Sequence, residues 1–477
     1  MAYAGSGLGA LLVAPRALAT RAGDAAAPGP TNRSYVSRPD LSPPVIDVAT
    51  SDPTTSPGFI FLAPSAGTGQ TGPLIVDNAG QPVWFLPLAG TTAHNFRVQQ
   101  FRGRPVLTWW EGEQTNGHGL GDYVIADSTY QEFMRFGPAN GYRGDLHDFV
   151  ITSRGTALIS VYDAVSADLT TYGGTTSGII FDGIVQEIDL RTGKLLFEWH
   201  SLEHVDPSES IIAFDNDGWD YFHLNSIGVL PDGNLLVSAR HTSTAYKLDR
   251  RSGTVIWRLG GTKSDFAFRP GAAFALQHDV RGHPGDVITV FDHGIAADVT
   301  SQPVSRAIVL QLDAKAMVAS LVRADANPQG GLSTVEGNAQ VLPDGGIFVG
   351  WGILPSYSEF SPSGGVRYDA SLRTGSNSYR AFRARWKANP LSRPAIGTID
   401  NSDRSLNVYV SWNGATEISH WRVVGGATAT TLAPMRTVPR DGFETTIRLA
   451  TAPVYLAAVA LDARGHTLGT TQTLVNI

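Results

Sequence analysis

Residues 223–261 read HLNSIGVLPDGNLLVSARHTSTAYKLDRRSGTVIWRLGG, and this stretch decides the fold. An alternating run ends at the tight-turn sequence Pro231-Asp232-Gly233, and a dense β-forming run, NLLVSA, follows it. A third run, TAYKL, stops at Asp249, and Gly253 turns the chain into a fourth, VIWRL. Four short strands with turn residues between them make one antiparallel unit.

The same unit recurs outward in both directions. Its second half, a strand, an Asp, a Gly turn and a strand, reappears as LIVDNAGQPVWFL, YVIADSTYQEFMRF, VQEIDLRTGKLLFEW, VLQLDAKAMVASLV and YSEFSPSGGVRYDA. The turn-opening residues are Asp77, Asp127, Asp189, Asp249, Asp313 and Ser361, at spacings of 50, 62, 60, 64 and 48. Its first half reappears around His94, His147, His278 and Glu336, with Asp344-Gly345 as a second strong hairpin signal. Four strands per repeat of this length predict the blades of a β-propeller. Five blades are complete, and a sixth is assembled from both ends, GFIFLAP and LIVDNAGQPVWFL with SYRAFRARW at 378–386. The expected fold is all-β, a six-bladed β-propeller over 57–388; an antiparallel sandwich is the alternative. Short alternating runs after Pro390 predict a fibronectin-like β-sandwich at 395–477 with a packing or adhesion role.

Composition narrows the function classes. Charged residues are 17% of the chain and the net charge is −7, which argues against a nucleic-acid backbone as partner. There is no cysteine, so disulfides, thiolate metal sites and cysteine nucleophiles are excluded. Residues 1–30 hold an apolar run, Leu8 to Val13, and small-residue sites after Ala17–Ala19 and Ala25–Ala27, the pattern of a signal peptide. The basic region expected before such a run is missing, which points to a start inside a longer signal, with a twin-arginine form left open. Secretion or residence in the cell envelope is therefore expected. Residues 31–56 read as a linker or an extended strap, and no stretch reaches the ~18 apolar residues of a membrane span.

In a propeller the innermost strands line a shared channel. His94, His147, His223 and His278 open four of these strands at nearly equivalent positions, and Glu336 with Asn338 opens a fifth. The hairpin exits add Trp109-Trp110-Glu111, Tyr162-Asp163, Arg240-His241, Asp292-His293 and Trp351. Imidazoles, a guanidinium and aromatic walls suit an anionic aromatic ligand. Three roles compete for the histidines: hydrogen bonds joining neighbouring blades, above all for His94; metal binding, disfavoured by Arg240 and by the lack of an evident carboxylate behind the imidazoles; and nucleophilic or acid–base catalysis.

The segments LHDFVI (146–151), DYFHLNSIGVLPDGNLLVSARHTSTAYKLDRRSGTVIWRLGG (220–261) and LQHDV (276–280) resemble the arylsulfate sulfotransferases, six-bladed propellers that act outside the cytoplasm. The resemblance implies transfer of a sulfuryl group from an aryl sulfate ester to a phenolic acceptor, without a nucleotide sulfate donor, through a covalent sulfohistidine and ping-pong kinetics. It makes His278 the sulfated residue and gives His147, His223 and Arg240 contacts to the sulfuryl or phenolic oxygens. Asn225, His241, Trp110 and Tyr162 are further expected contacts to substrate, with no metal and no cofactor. The better-known periplasmic members carry an N-terminal sandwich and a disulfide near the site. This chain, without cysteine and with its apparent sandwich at the C-terminus, is closer to a branch found in actinobacteria and fungi. A non-catalytic secreted propeller that binds a ligand or cell-surface polymer is the alternative of another class. A formylglycine sulfatase is excluded, because no C/S-x-P-x-R run is present.

Overall fold

A computed structural model describes residues 30–476, apart from 66, 68, 215–217, 295–303 and 374. The signal-peptide expectation at 1–30 falls almost wholly outside these residues. The described chain is all-β, with eight sheets among the described residues.

Six of the sheets follow one another and share one plan, an antiparallel meander of four strands. Sheet I orders Ser378–Ala384, Phe59–Pro64, Leu74–Val76 and Pro82–Phe85. Sheet II contains Thr92–Phe101, Arg104–Thr115, His118–Ala126 and Glu132–Phe136. Sheet III contains Phe149–Ile151, Thr156–Ala167, Gly178–Asp189 and Leu195–His200. Sheet IV contains Leu224–Val229, Leu235–Ala239, Thr244–Leu248 and Val255–Gly260, the four runs of the opening stretch. Sheet V contains His278–His283, Val287–Asp292, Arg306–Asp313 and Val318–Ala326, and Ala267–Phe268 pairs parallel to its last strand. Sheet VI contains Asn338–Val341, Ile347–Gly350, Ser356–Phe360 and Val366–Leu372. In the segment expected as linker or strap, Ile46–Ser51 covers the outer edge of sheet VI by pairing with Val366–Leu372.

The predicted turn residues act as turn formers. Asp77 accepts from the backbone N–H of Ala79 and Gln81, Asp189 from Arg191 and Thr192, and Asp313 from Lys315 and Ala316. Ser361 Oγ takes the N–H of Gly365 in the same way. A short side chain that caps its own turn leaves the flanking residues free to extend.

Each sheet buries one face against the next. Phe61 and Ile75 of sheet I meet Leu107 and Val124 of sheet II, and Leu236 and Leu259 of sheet IV meet Ile288 and Val290 of sheet V. Phe348 and Tyr357 of sheet VI return to Ile60 and Leu74 of sheet I. Buried on both sides, Leu235–Ala239 has no exposed residue, which explains why LLVSA reads as a nearly continuous apolar run. The result is propeller-like.

The last two sheets lie C-terminal to these. Ala395–Asp400, Leu406–Ser411 and Glu444–Leu449 form one, and Ala433–Pro439, His420–Gly426, Tyr455–Leu461 and Thr467–Thr470 the core of the other. Both contribute to one core around Trp412 and Trp421. They dock on sheets I and II: the Asn413 side chain exchanges two 2.9 Å hydrogen bonds with the Phe85 backbone, and Tyr130 Oη donates to Gly414 O at 2.8 Å.

The first strands of the sheets meet around a buried ionic knot. Arg380 Nη1 lies 3.1 Å from Asp148 and 3.6 Å from Asp279, and donates to Asn95 Oδ1 at 2.9 Å. Arg380 Nη2 donates to Asn225 O at 2.8 Å. Arg281 Nη2 reaches the same two carboxylates at 2.8 and 2.7 Å. Burial opposes ionisation of Asp148, but Arg281, Arg380 and Arg97 hold its pKa well below the ordinary range. Arg380→Met leaves this pair of carboxylates short of one counter-charge. We expect a loss of about 3–5 kcal/mol in unfolding free energy, read from urea denaturation of the full chain.

Candidate active site

The residue after each channel histidine, or two after it, joins the sheets. Asn95 Nδ2 donates to Leu146 O and His147 O, Asn225 Nδ2 to Gln277 O, and Asn338 Nδ2 to Ala381 O. Asp148 accepts from the Ile227 N–H and Asp279 from the Ala339 N–H. These neighbours therefore make the bonds between sheets that the sequence offered to the histidines themselves. The backbone turns sharply at the same places. Asn95, His223, Asp279 and Glu336 have φ between 50° and 69°, and the pairing register shifts between His94 and Arg97, Leu224 and Ser226, and His278 and Arg281. Bulges of this kind re-aim side chains, at a cost of order 1–3 kcal/mol for each strained residue.

The re-aimed rings converge. His147 and His223 are 4.8 Å apart between centroids, and His223 and His278 6.3 Å. Tyr379, from the first strand of sheet I, stands among them at 5.5 Å from His94, 5.8 Å from His147 and 6.2 Å from His278. His241 lies 4.5 Å from His223. Tyr162 stacks on His118 at 4.2 Å and donates its hydroxyl to Leu224 O. His118 reaches the cluster because Asn116-Gly117, both at positive φ, make a two-residue hairpin between two long strands.

Of the residues expected to touch substrate, the structure brings His147, His223, His278, His241 and Tyr162 into this cluster. Arg240 joins them through charge: its guanidinium acts on the pKa of His278 and His293. Asn225 is buried and its amide joins sheets IV and V. Trp110 is fully buried, donates to Gly144 O and packs beside His94. Sequence reasoning missed His118 and Tyr379, and it missed the carboxylates. Contrary to the expectation of none behind the imidazoles, Asp145 takes the His147 Nδ1–H at 2.6 Å and Asp220 takes the His223 Nδ1–H at 2.5 Å. Both lie in the loops that lead into these strands, as DLH and DYFH.

Protonation differs around the cluster. Burial, then His293, Arg240 and the other imidazoles, push His278 far below the ordinary histidine value, so its ring is neutral. Burial lowers His94 to about 4 and His293 to about 3. His118 moves the other way: burial resists, but the hydrogen bond and charge of Asp220 raise it. Burial pushes the Glu336 carboxyl up to about 7. Several buried polar atoms have no hydrogen-bond partner, namely both ring nitrogens of His94, Tyr379 Oη and Arg240 Nε. His118, Asp220 and His223 offer ligand atoms within 4.8 Å of one another. Both histidines already hydrogen-bond to Asp220.

The profile of the arylsulfotransferases (ASST) matches residues 97–373, more than half of the chain. This chain belongs to the arylsulfotransferase family. The match spans sheets II to VI and every cluster residue named above except His94 and Tyr379. No curated protein matches the chain. Among solved structures, a protein of unknown function from Bacteroides caccae is 13% identical, over 68% of this chain and 98% of its own, with a TM-score of 0.40. A catalytically inactive virginiamycin B lyase from Staphylococcus aureus, with quinupristin, is 7% identical over 77% and 97%, with a TM-score of 0.35. Neither score reaches 0.5, and neither likeness bears on the chemistry of this chain.

The neutral histidines make stability depend on pH. A group whose folded pKa is depressed contributes stability that is complete above its unfolded value, about 6.5, and is lost as pH falls towards the folded value. His94, His241, His278 and His293 all have this sign; His118 has the opposite one. The urea midpoint is therefore expected to fall between pH 7 and pH 5. A midpoint constant over that range would contradict the neutral assignment.

Proposed function

We propose that this arylsulfotransferase moves a sulfuryl group from an aryl sulfate ester to a phenol through a sulfated His278. The observation that carries this reading is a neutral imidazole, His278, set among two carboxylate-backed imidazoles and next to the field of Arg240. Its lone pair attacks sulfur, the S–O(aryl) bond breaks, and the departing phenolate oxygen takes a proton from His147, whose ring is held by Asp145. The acceptor phenol then returns a proton to that base as its oxygen displaces His278. Sulfuryl transfer spreads charge over the equatorial oxygens, and a fixed guanidinium with imidazole donors answers that charge. No step calls for a nucleotide donor.

The scaffold in this reading is a six-bladed β-propeller over 57–388, supported by six like sheets whose apolar clusters run from each to the next and back to the first. Residues 395–477 are the β-sandwich, supported by two sheets on one core. Residues 1–30 are an export signal, which the apolar run and small-residue sites support.

Incubation with p-nitrophenyl sulfate, with and without phenol, followed by peptide mass spectrometry, tests the reaction. We expect p-nitrophenol release, a sulfated peptide containing His278, and loss of that adduct when phenol is added. His278→Ala should abolish it, and Arg240→Gln should slow turnover by roughly 100- to 1,000-fold. No transfer and no adduct with several aryl donors would favour a non-catalytic, ligand-binding propeller instead.

A further inference from the structure

We propose that His293 is the positioning residue for His278, fixing its ring as the Nδ1–H tautomer through a relay that ends on the carbonyl of Ser333. The relay is read from one end. His293 Nδ1 faces Ser333 O, and a carbonyl only accepts, so that nitrogen carries the proton. In the neutral ring His293 Nε2 then holds a lone pair. His278 Nδ1 lies 2.9 Å from it and must donate, which leaves the lone pair of His278 on Nε2. The anchor is held in place: Ser305 Oγ accepts the Ser333 N–H at 2.8 Å and donates to His293 O at 3.1 Å. His278, His293, Ser305 and Ser333 are all buried, so water does not compete for these bonds.

The partner of His278 differs in kind from those of its neighbours. His147 and His223 give their Nδ1–H to carboxylates, and His278 gives its own to a neutral imidazole. This rests on the sulfotransfer reading for its consequence. When His278 Nε2 bonds to sulfur, the ring becomes cationic and keeps its Nδ1–H, balancing the charge of the attached sulfonate. It then departs in the second transfer as neutral imidazole, a good leaving group. A carboxylate at the position of His293 would draw that proton away and leave the sulfuryl group on a far poorer leaving group. Burial, followed by the charge of Arg240, keeps His293 from taking the proton.

Long-range proton–nitrogen correlation on the full chain labelled with 15N-histidine reads the tautomer without substrate, with the His278 signals assigned by their loss in His278→Gln. We expect a protonated Nδ1 and an unprotonated Nε2 from pH 8 to pH 5. A proton on Nε2 would overturn the proposal, and this measurement needs no variant at position 293. His293→Leu should mix the tautomers, introduce a pH dependence into sulfation of His278 and slow it about 10- to 100-fold. His293→Gln, whose Oε1 can accept from His278, should restore most of the rate and the single tautomer. A folded Leu variant with an unchanged tautomer would also overturn it. An Nδ1–H ring in a protein that never forms the sulfated peptide would support this inference while refuting sulfotransfer.

Discussion

The architecture depends on an ionic knot where the first strands meet. Arg380, fully buried, holds Asp148 and Asp279 and touches Asn95 and the backbone of Asn225. Five of the six like sheets therefore meet at one guanidinium. Apolar packing between sheets is broad and tolerates small slides, because one aliphatic contact resembles another. A forked hydrogen-bond donor does not. The knot fixes the angular position of each first strand, and through it the channel rings that begin those strands. Its chemistry is also kept apart from theirs, since the carboxylates of the knot pair with arginines and those beside the rings, Asp145 and Asp220, pair with imidazoles.

Much of this was legible in the sequence for a local reason. Turn-opening residues such as Asp77, Asp189 and Asp313 act on backbone groups only a few positions away, so their spacing reports the repeat directly. The pairing of Phe59–Pro64 with Ser378–Ala384 was legible for a topological one, since a ring of sheets leaves edges that its two ends can cover. The histidines were visible because they repeat in register. What stayed hidden was non-local or disguised. His118 sits just past a hairpin tip, in TNGHG, and reads as turn. Tyr379 lies in a strand whose neighbours in sequence say nothing of a centre. Asp145 and Asp220 look like loop residues, and only the fold shows that each turns back onto the histidine it precedes. The interlocking role first offered to the histidines belongs to Asn95, Asp148, Asn225, Asp279 and Asn338, and HN, HD and HLN hold that signal in plain view.

The site is graded in polarity. Towards Asp220 the imidazoles are partly exposed and include one whose pKa is raised, His118. Towards His293 they are buried and neutral. In the proposed reaction, a ligand with an anionic end and an aromatic body would meet the raised His118 on one side and the neutral His278 on the other. One imidazole could not serve both ends, because a single environment cannot raise and depress the same pKa.

The strand Ser378–Ala384 carries both Tyr379 and Arg380, and it is the last strand of the six like sheets to be made. Its partner, Phe59–Pro64, leaves the ribosome more than three hundred residues earlier. Until that late strand arrives, the knot lacks its central cation and the histidines lack the ring that stands among them. A partly synthesised chain therefore carries these imidazoles in an unfinished pocket. Contacts of such long sequence separation are slow to form, so the complete histidine cluster and the pairing of these two strands should appear together, at the end of folding.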